Sequence, residues 1–298
     1  MQCLARAVPL LLAAVGATQT VEIRPRLVAG DEFRLEVTRV REDKSRPDAN
    51  YTIWTPVDVR VLAVRNDGFE IEWRPAASVI EKQPAADPGV IAGSQALGHL
   101  TYRIGLTAEG EFRRLLNEVE VRGQLTAAVG AMLRASVQDP ERREQIREVL
   151  TPGFMVALAT RNAEIYFGVH GLSLAVGDTL ELTVKQATPL GSEVAAVYRA
   201  RIDSATAETA AITTTTTYDA DALLKLTLAF LEKAGTKAPP EEVAKVRLDL
   251  GDEGTYQFDR RVGLVREMTL SRRQSLAGSH RVDRWTIKLV RPPKRKNP

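Results

Sequence analysis

Alternating apolar and polar residues dominate the first part of the chain. The apolar members of four successive runs are Phe33, Leu35 and Val37; Val57, Val59 and Val61; Phe69, Ile71 and Trp73; and Leu100, Tyr102, Ile104 and Leu106. A period of two puts the apolar side chains of each run on one face. Each run is therefore predicted to be a strand with one buried face and one solvent-exposed face.

Turn residues separate these runs. Asn66-Asp67-Gly68 lies between the second and third runs, and Asp-Gly supplies the positive φ that tight hairpins need. Residues 108–111 are predicted to form another turn. Residues 76–97 are rich in Ala, Pro and Gly, which predicts a loop with a short helix.

The pattern changes to helical spacing in the middle of the chain. From about residue 123, apolar residues recur at intervals of three and four. Asp139-Pro140 and Thr151-Pro152 each combine an N-cap with a first-turn proline. Helices are predicted over 123–137, 141–150 and 152–161, and a short buried strand over 165–167.

Strand patterns resume after Gly177, and one helix interrupts them. Strands are predicted over 180–184, 194–202, 206–218, 243–250, 254–260, 263–275 and 281–290. Asp219 is predicted to cap a helix over about 220–234, which is apolar nearly all round. Such a helix is expected to be deeply buried or to cover an apolar groove.

Two stretches of the chain resemble each other. The sequence of residues 30–37 resembles that of residues 177–184, and both begin with Gly-Asp. Residues 101–104 resemble residues 255–258, and the predicted elements follow in the same order in both stretches. The predicted class is α+β, mostly antiparallel β, with two related strand-rich halves that form duplicated curved sheets or half-barrels. The predicted boundaries are 21–122 for the first repeat, 123–168 for a helical connector and 172–290 for the second repeat. Chance similarity remains open, as does the choice between one shared sheet and two domains.

The first residues have the pattern of a cleaved signal peptide. Arg6 precedes an apolar stretch too short to span a bilayer, and small residues at 15–17 suit cleavage after Ala17. Residues 1–17 are predicted to be removed, so a periplasmic or secreted location is expected, with a buried N-terminal helix as the alternative. Cys3 is the only cysteine and would leave with this segment, which excludes a disulfide or a thiolate nucleophile.

Charge and hydropathy restrict the partners. The chain has 41 basic and 38 acidic residues and a net charge of +3, without the clustered charge of a nucleic-acid interface. No long apolar run follows the leader, so no transmembrane segment is expected in the mature chain. The basic tail, 291–298, is predicted to be unstructured and solvated.

The motifs of common catalytic sites are absent from the sequence. There is no HExxH helix, no GxSxG elbow and no phosphate-binding glycine loop, and the three histidines are far apart and interpreted as surface residues. Glu70 and Glu72 fall on the solvated face of a strand, and Asp249 and Asp252 in a predicted hairpin turn. No catalytic residue, metal ligand or cofactor is predicted.

The signal pattern, the long antiparallel strands and the covering helix together resemble exported bacterial proteins of unknown function. More distantly, the architecture is similar to the half-barrels of the periplasmic lipoprotein-carrier class. In that class a bent sheet wraps apolar helices and forms an apolar pocket, and helix 220–234 would correspond to a lid. The resemblance carries no residue-level motif, so it assigns no functional residue.

Three functional hypotheses follow. The first is a non-catalytic binding module for an apolar or lipid-like ligand, because a binding cavity needs apolar walls. Its predicted lining residues are Phe69, Ile71, Trp73, Leu226 and Phe230, although these residue types are more often core. The second is a structural protein of the cell envelope that binds a protein partner. The third is a hydrolase with an unrecognised site, which requires a cleft where acids, a histidine or several arginines converge.

Overall fold

The computed structural model describes residues 20–82, 100–149, 152–187, 193–233, 248–276 and 279–293. The strands in these ranges are β1 (Thr20–Glu22), β2 (Glu32–Asp43), β3 (Tyr51–Arg65), β4 (Gly68–Pro75), β5 (Val79–Lys82), β6 (Tyr102–Thr107), β7 (Phe112–Leu115), β8 (Ser173–Ala175), β9 (Thr179–Ala187), β10 (Glu193–Ala205), β11 (Thr209–Tyr218), β12 (Leu248–Asp259), β13 (Leu264–Leu276) and β14 (Ser279–Arg291). The α-helices are α1 (Glu118–Ser136), α2 (Pro140–Val149), α3 (Pro152–Phe167) and α4 (Ala220–Lys233), and a 3-10 turn covers Pro47–Ala49.

Twelve of the strands form one open sheet in which every pair is antiparallel. Its order is β7-β6-β4-β3-β2-β14-β13-β12-β11-β10-β9, with β5 paired to β3. Strands β1 and β8 form a separate two-stranded sheet. The predicted mostly antiparallel β class is thus confirmed. The two strand-rich halves share one sheet, and this sheet is not closed into a barrel, because β7 and β9 end the path.

The large sheet consists of two up-and-down meanders. The chain starts in the middle of the sheet at β2 and proceeds outward to the edge strand β7. Helices α1 to α3 then lead to the opposite edge at β9, and the second meander returns to the middle at β14. The two meanders join through the β14–β2 pair, where Thr286 lies opposite Thr38.

The two predicted repeats begin with the same turn. Gly30 and Gly177 have φ values of 87° and 90°, which only glycine adopts without strain. The amide of Gly30 donates to the carbonyl of Val61 and that of Gly177 to the carbonyl of Ile202, each at 2.8 Å. The equivalence covers the turns alone, and the duplication stays a prediction.

The sheet bends strongly around one end of its inner face. A Cβ built on Gly110, in the β6–β7 turn, would lie 2.6 Å from Cδ of Pro25, and one built on Gly263, in the β12–β13 turn, 2.7 Å from the carbonyl carbon of Pro25. Four strands separate β6 from β13, so in a flat sheet the two turns would be about 24 Å apart. Because both turns contact one proline, the sheet must curve.

The end of helix α3 fills the concave side of this curve. Tyr166 and Phe167 are at most 1% exposed, and the ring centroid of Tyr166 lies 6.2 Å from that of Trp73 on β4. The Tyr166 hydroxyl donates to the carbonyl of Val265 on β13 at 2.8 Å. The main apolar core therefore lies between the bent sheet and the helices that connect its two edges.

Several predicted elements differ from the structure. Residues 165–167 end α3 and do not form a strand, since a short apolar run does not distinguish a buried helix turn from a buried strand. The patterns at 243–250 and 254–260 contribute to one strand, β12, whose described part begins at Leu248. In the predicted loop, 79–82 form β5, and residues 83–99 lie outside the described ranges, as do 1–19 and 294–298.

Two predicted helix caps and the tight turn between β3 and β4 are confirmed. The helix predicted from residue 123 begins at Glu118, and Thr151 lies outside the described residues. Asp139 Oδ1 accepts from the amide of Glu141, and Asp219 Oδ1 accepts from the amide of Ala222, both at 2.9 Å. Arg65 pairs with Gly68, which leaves two residues in the β3–β4 hairpin loop. These features depend on neighbouring residues only, so the local sequence is sufficient to specify them.

Candidate functional site: an arginine cluster on the concave face

A row of charged residues crosses the central strands of the concave face. Directly opposite one another on β12, β13, β14, β2 and β3 are Asp252, Arg272, Asp283, Arg41 and Tyr51. Residues in register on adjacent strands project from the same face of a sheet. The sheet thus brings together side chains that are up to 242 positions apart in sequence.

The next rows become apolar toward the bent end of the sheet. Leu270, Trp285 and Arg39 occupy the following row, and Met268, Ile287 and Val37 the one after it. Met268 is 1% exposed and Ile287 is fully buried. The charged row therefore borders the main core at the end of the concave face opposite to the Pro25 contacts.

Asp252 and Arg272 form a two-bond ion pair. Arg272 Nε donates to Oδ1 and Nη2 to Oδ2 of Asp252, each at 2.7 Å. The Tyr218 hydroxyl also donates to Asp252 Oδ2, at 2.8 Å. Burial alone would raise the pKa of Asp252, but the hydrogen bonds and charge of Arg272 outweigh burial and hold this pKa below its usual value. Asp252 is therefore an ionised, structurally engaged carboxylate.

Three arginines surround the buried Asp283. Oδ1 accepts from Arg39 Nη2 at 3.1 Å and from Arg41 Nε at 3.0 Å, and Oδ2 accepts from Arg281 Nε at 2.7 Å. The Asp283 side chain is 3% exposed, whereas those of Arg39, Arg41 and Arg281 are 27%, 22% and 32% exposed. Burial alone would raise the pKa of Asp283, but the charges of the three guanidinium groups lower it. These guanidinium groups are partly accessible to solvent.

Aromatic rings support the guanidinium groups. Arg39 Cζ lies 5.0 Å from the ring centroid of Trp285, and Arg161 Cζ lies 5.9 Å from the same ring. Arg41 Cζ is 4.7 Å from the Tyr51 centroid. Each contact is within the range of a cation–π interaction, which orients the guanidinium plane.

Positive charge exceeds negative charge in this cluster. The arginine cluster comprises Arg39, Arg41, Arg161, Arg272 and Arg281, and its central acids are Asp252 and Asp283. Two further acids are nearby. Glu164 interacts electrostatically with Arg161, and Asp43 lies directly opposite Arg281 on the neighbouring strand. Among the described residues, five guanidinium groups thus face four carboxylates, of which two are central.

Two guanidinium groups of the cluster are incompletely compensated. Burial, followed by the charge of Arg272, lowers the pKa of Arg161, whose Nη2 lies 3.6 Å from Asp252. Nε of Arg39 is buried and has no hydrogen-bond partner among the described residues. A buried guanidinium nitrogen without an acceptor is unfavourable.

A small apolar cluster adjoins the charged row. This satellite cluster comprises the buried residues Val194, Ala196, Tyr218 and Leu223 and the partly buried residues Val184, Ala222, Leu226 and Leu250. Helix α4 covers it, and it is separate from the main core. Tyr218 belongs to both sites, because its ring packs in the satellite cluster while its hydroxyl binds Asp252.

The structure divides the predicted lining residues between two apolar clusters. Ile71 and Trp73 belong to the main core, where Phe69 packs partly buried against them. Leu226 belongs to the satellite cluster. Phe230 falls within α4, but its side chain lies outside the described part of the chain. Trp73 and Leu226 are therefore not brought together, and whether these residues contact a ligand stays a prediction.

Two surface clefts are among the cavities of the described residues. One, of about 420 Å³, is lined by Arg24, Arg26 and Arg260 among others. The second, of about 380 Å³, includes Arg266 and Lys288. Neither contains a predicted lining residue or a member of the arginine cluster.

Two interpretations from the sequence are wrong. Asp249 and Asp252 are not in a hairpin turn, because β12 continues through both, and the Asp252 carboxylate is buried in the ion pair with Arg272. His170 is not a surface residue but is 3% exposed, with its ring centroid 5.2 Å from Phe167 and 5.4 Å from Phe258. A signal for the arginine cluster did exist, since Arg39 and Arg41 continue the inward phase of Phe33, Leu35 and Val37.

Within the described ranges, no three His, Cys, Asp or Glu side chains are grouped so that they could hold a metal ion. The helices in those ranges include none that is long and apolar enough to cross a membrane.

Comparison with known proteins gives no family. No family model matches the chain, and no curated protein matches it. A structure of lipovitellin, from work on lipid–protein interactions in that protein, has a TM-score of 0.47 and 10% identity over 93% of this chain and 27% of the lipovitellin chain. A porin-like protein from Bacteroides uniformis has a TM-score of 0.19 and 9% identity over 87% of this chain and 96% of its own. Neither likeness assigns a function to this chain.

Proposed function

We propose that this chain is an exported, non-catalytic binding module for an apolar, lipid-like ligand. In this proposal the bent sheet is a half-barrel and α4 is its lid. One observation carries the proposal: α4 rests on a small satellite cluster that is separate from the main core. A lid on a separate cluster can open without disrupting the main core.

The contacts of α4 suit this role. Leu223 is buried, whereas Leu224, Leu226 and Leu228 are only half-buried. Full burial of one leucine stabilises a protein by about 1.5–3 kcal/mol. Lifting α4 would therefore cost only the burial free energy of the few side chains beneath it. An apolar ligand inserted between α4 and strands β10 to β12 would replace these contacts.

The state of the central acids supports a role without catalysis. A glycosidase-type hydrolase needs one carboxyl group whose pKa is raised so that it can donate a proton. Both Asp252 and Asp283 instead have lowered pKa values, because arginines surround them. Neither carboxylate is suited to act as a general acid.

Native mass spectrometry tests the proposal. The full chain would be expressed with its leader, purified from the envelope fraction and extracted for lipids. Leu226→Ser would weaken the satellite cluster, and Val119→Ser on α1, where Val119 is 76% exposed, is the matched control. We expect an extra mass that extracts as lipid in the wild type and in Val119→Ser and that is reduced in Leu226→Ser at equal folded fraction.

A wild-type protein of bare polypeptide mass that also fails to bind an apolar dye would contradict the proposal. Crosslinking in cells would then be the way to look for a protein partner. A mass that includes residues 1–17 in the purified protein would contradict export with cleavage.

A further inference from the structure

We infer that the arginine cluster binds the anionic head group of an amphipathic ligand, with a phosphate group as the matching chemistry. This inference rests on the proposed function, because the apolar part of the same ligand would occupy the satellite cluster. The arginine cluster would be a second, polar binding determinant, and its arginines lie outside the strands that form the satellite cluster.

The guanidinium groups of Arg39, Arg41 and Arg281 converge on one point of the concave face. All three donate to the carboxylate of Asp283 over distances of 2.7 to 3.1 Å. An arginine has five N–H donors, so one carboxylate cannot engage all the donors of three arginines. The remaining donors surround Asp283 at side chains that are 22% to 32% exposed.

One donor at this point is buried without an acceptor. Nε of Arg39 has no hydrogen-bond partner among the described residues, although its Nη2 engages Asp283. Arg39 Cζ also lies 5.0 Å from the ring centroid of Trp285, within the range of a cation–π contact. A guanidinium group held between Asp283 and Trp285, with part of the side chain exposed, matches a phosphate group better than a flexible, solvated arginine would.

The polar and apolar parts of the site are adjacent. Asp252 lies two strands from Asp283 in the same cross-strand row, which corresponds to about 10 Å. Tyr218 links Asp252 to the satellite cluster through its hydroxyl. A ligand with its head at Asp283 and its chain beneath α4 would therefore span neighbouring sites on one face.

Calorimetric titration with three probes separates the contribution of the ligand's head group to binding from the contribution of its apolar chain. The probes are dodecyl phosphate below its critical micelle concentration, dodecyl maltoside as the neutral amphiphile, and inorganic phosphate. The variant is Arg41→Gln, and the control is Arg34→Gln, because Arg34 lies on the opposite face of β2 and is 41% exposed. Arg281→Gln is the second variant if Arg41→Gln is not folded by circular dichroism.

We expect the wild type and Arg34→Gln to bind dodecyl phosphate at least about tenfold more tightly than dodecyl maltoside, as two charge-assisted hydrogen bonds would give. Arg41→Gln should remove that preference and keep the affinity for dodecyl maltoside. Inorganic phosphate should bind far more weakly than dodecyl phosphate.

Each of the other outcomes overturns the head-group inference, the proposed function or both. Equal binding of both amphiphiles by all variants overturns the head-group inference and leaves the proposed function standing. Inorganic phosphate that binds as tightly as dodecyl phosphate, with the same loss in Arg41→Gln, shows a free-anion site and overturns both the head-group source and the apolar ligand. Absence of binding for all three probes overturns both proposals.

Discussion

Arg272 and Asp252 face each other across β13 and β12 and are joined by two parallel hydrogen bonds of 2.7 Å. Their side chains are 9% and 7% exposed. One residue further along the same two strands, Arg273 and Glu253 form a 2.8 Å ion pair on the opposite face, with side chains 66% and 56% exposed. The same chemistry thus occurs once buried and once exposed on one pair of strands.

This contrast predicts that replacing Arg272 and replacing Arg273 will lower the free energy of unfolding by different amounts. Arg272→Met leaves the buried Asp252 carboxylate poorly paired and should lower the free energy of unfolding by about 3–5 kcal/mol. Arg273→Met should cost less than about 1 kcal/mol, because solvent screens the exposed pair. The double variant Arg272→Met/Asp252→Leu should recover most of the loss. Urea denaturation measures all three, and equal costs for the two single variants would contradict the assigned burial.

The β12–β13 turn should tolerate no Cβ at Gly263. This residue has a φ of 71°, and a Cβ there would lie 2.3 Å from the Arg26 amide nitrogen and 2.6 Å from the Arg24 carbonyl oxygen. Gly263→Ala should therefore cost clearly more than the roughly 1–2 kcal/mol of left-handed strain alone. Gly177→Ala is the control, because φ is 90° and nothing lies within 4 Å of the Cβ. Thermal unfolding compares them, and equal shifts would mean that the Pro25 segment does not pack on this turn.

His170 should make the protein less stable in mild acid. Burial lowers its pKa from 6.5 to about 4, and Nδ1 has no hydrogen-bond partner among the described residues. Between these two pKa values the unfolded chain binds a proton that the folded protein does not. The free energy of unfolding should therefore fall by about 3 kcal/mol as the pH drops from 6.5 to 4.

His170→Leu should remove this part of the pH dependence, because leucine does not titrate. His280→Gln is the control, since His280 is exposed. The check is the free energy of unfolding at several pH values for the three proteins. Parallel curves for the wild type and His170→Leu between pH 4 and 6.5 would contradict the buried, neutral state of His170.

The sequence was sufficient for the local elements of the fold. The alternation at Phe33, Leu35 and Val37 specified β2 and its buried face, because strand geometry repeats every two residues. The caps at Asp139 and Asp219 placed the starts of α2 and α4 for a similarly local reason. Where a short apolar run fits both periods, as at residues 165–167, the same reasoning failed.

Only the tertiary structure decided which local elements meet. Strands β2 and β14 are adjacent although their paired residues are 238 to 257 positions apart, and this pairing creates the cluster around Asp283. The local sequence around Asp252 predicts a turn, whereas the tertiary structure places Asp252 in a strand, opposite Arg272. Local patterns determine strand, turn and face, whereas strand order and sheet curvature depend on packing between distant segments. The sequence therefore determined the building elements, and the packing of the two meanders around α3 decided where the charges converge.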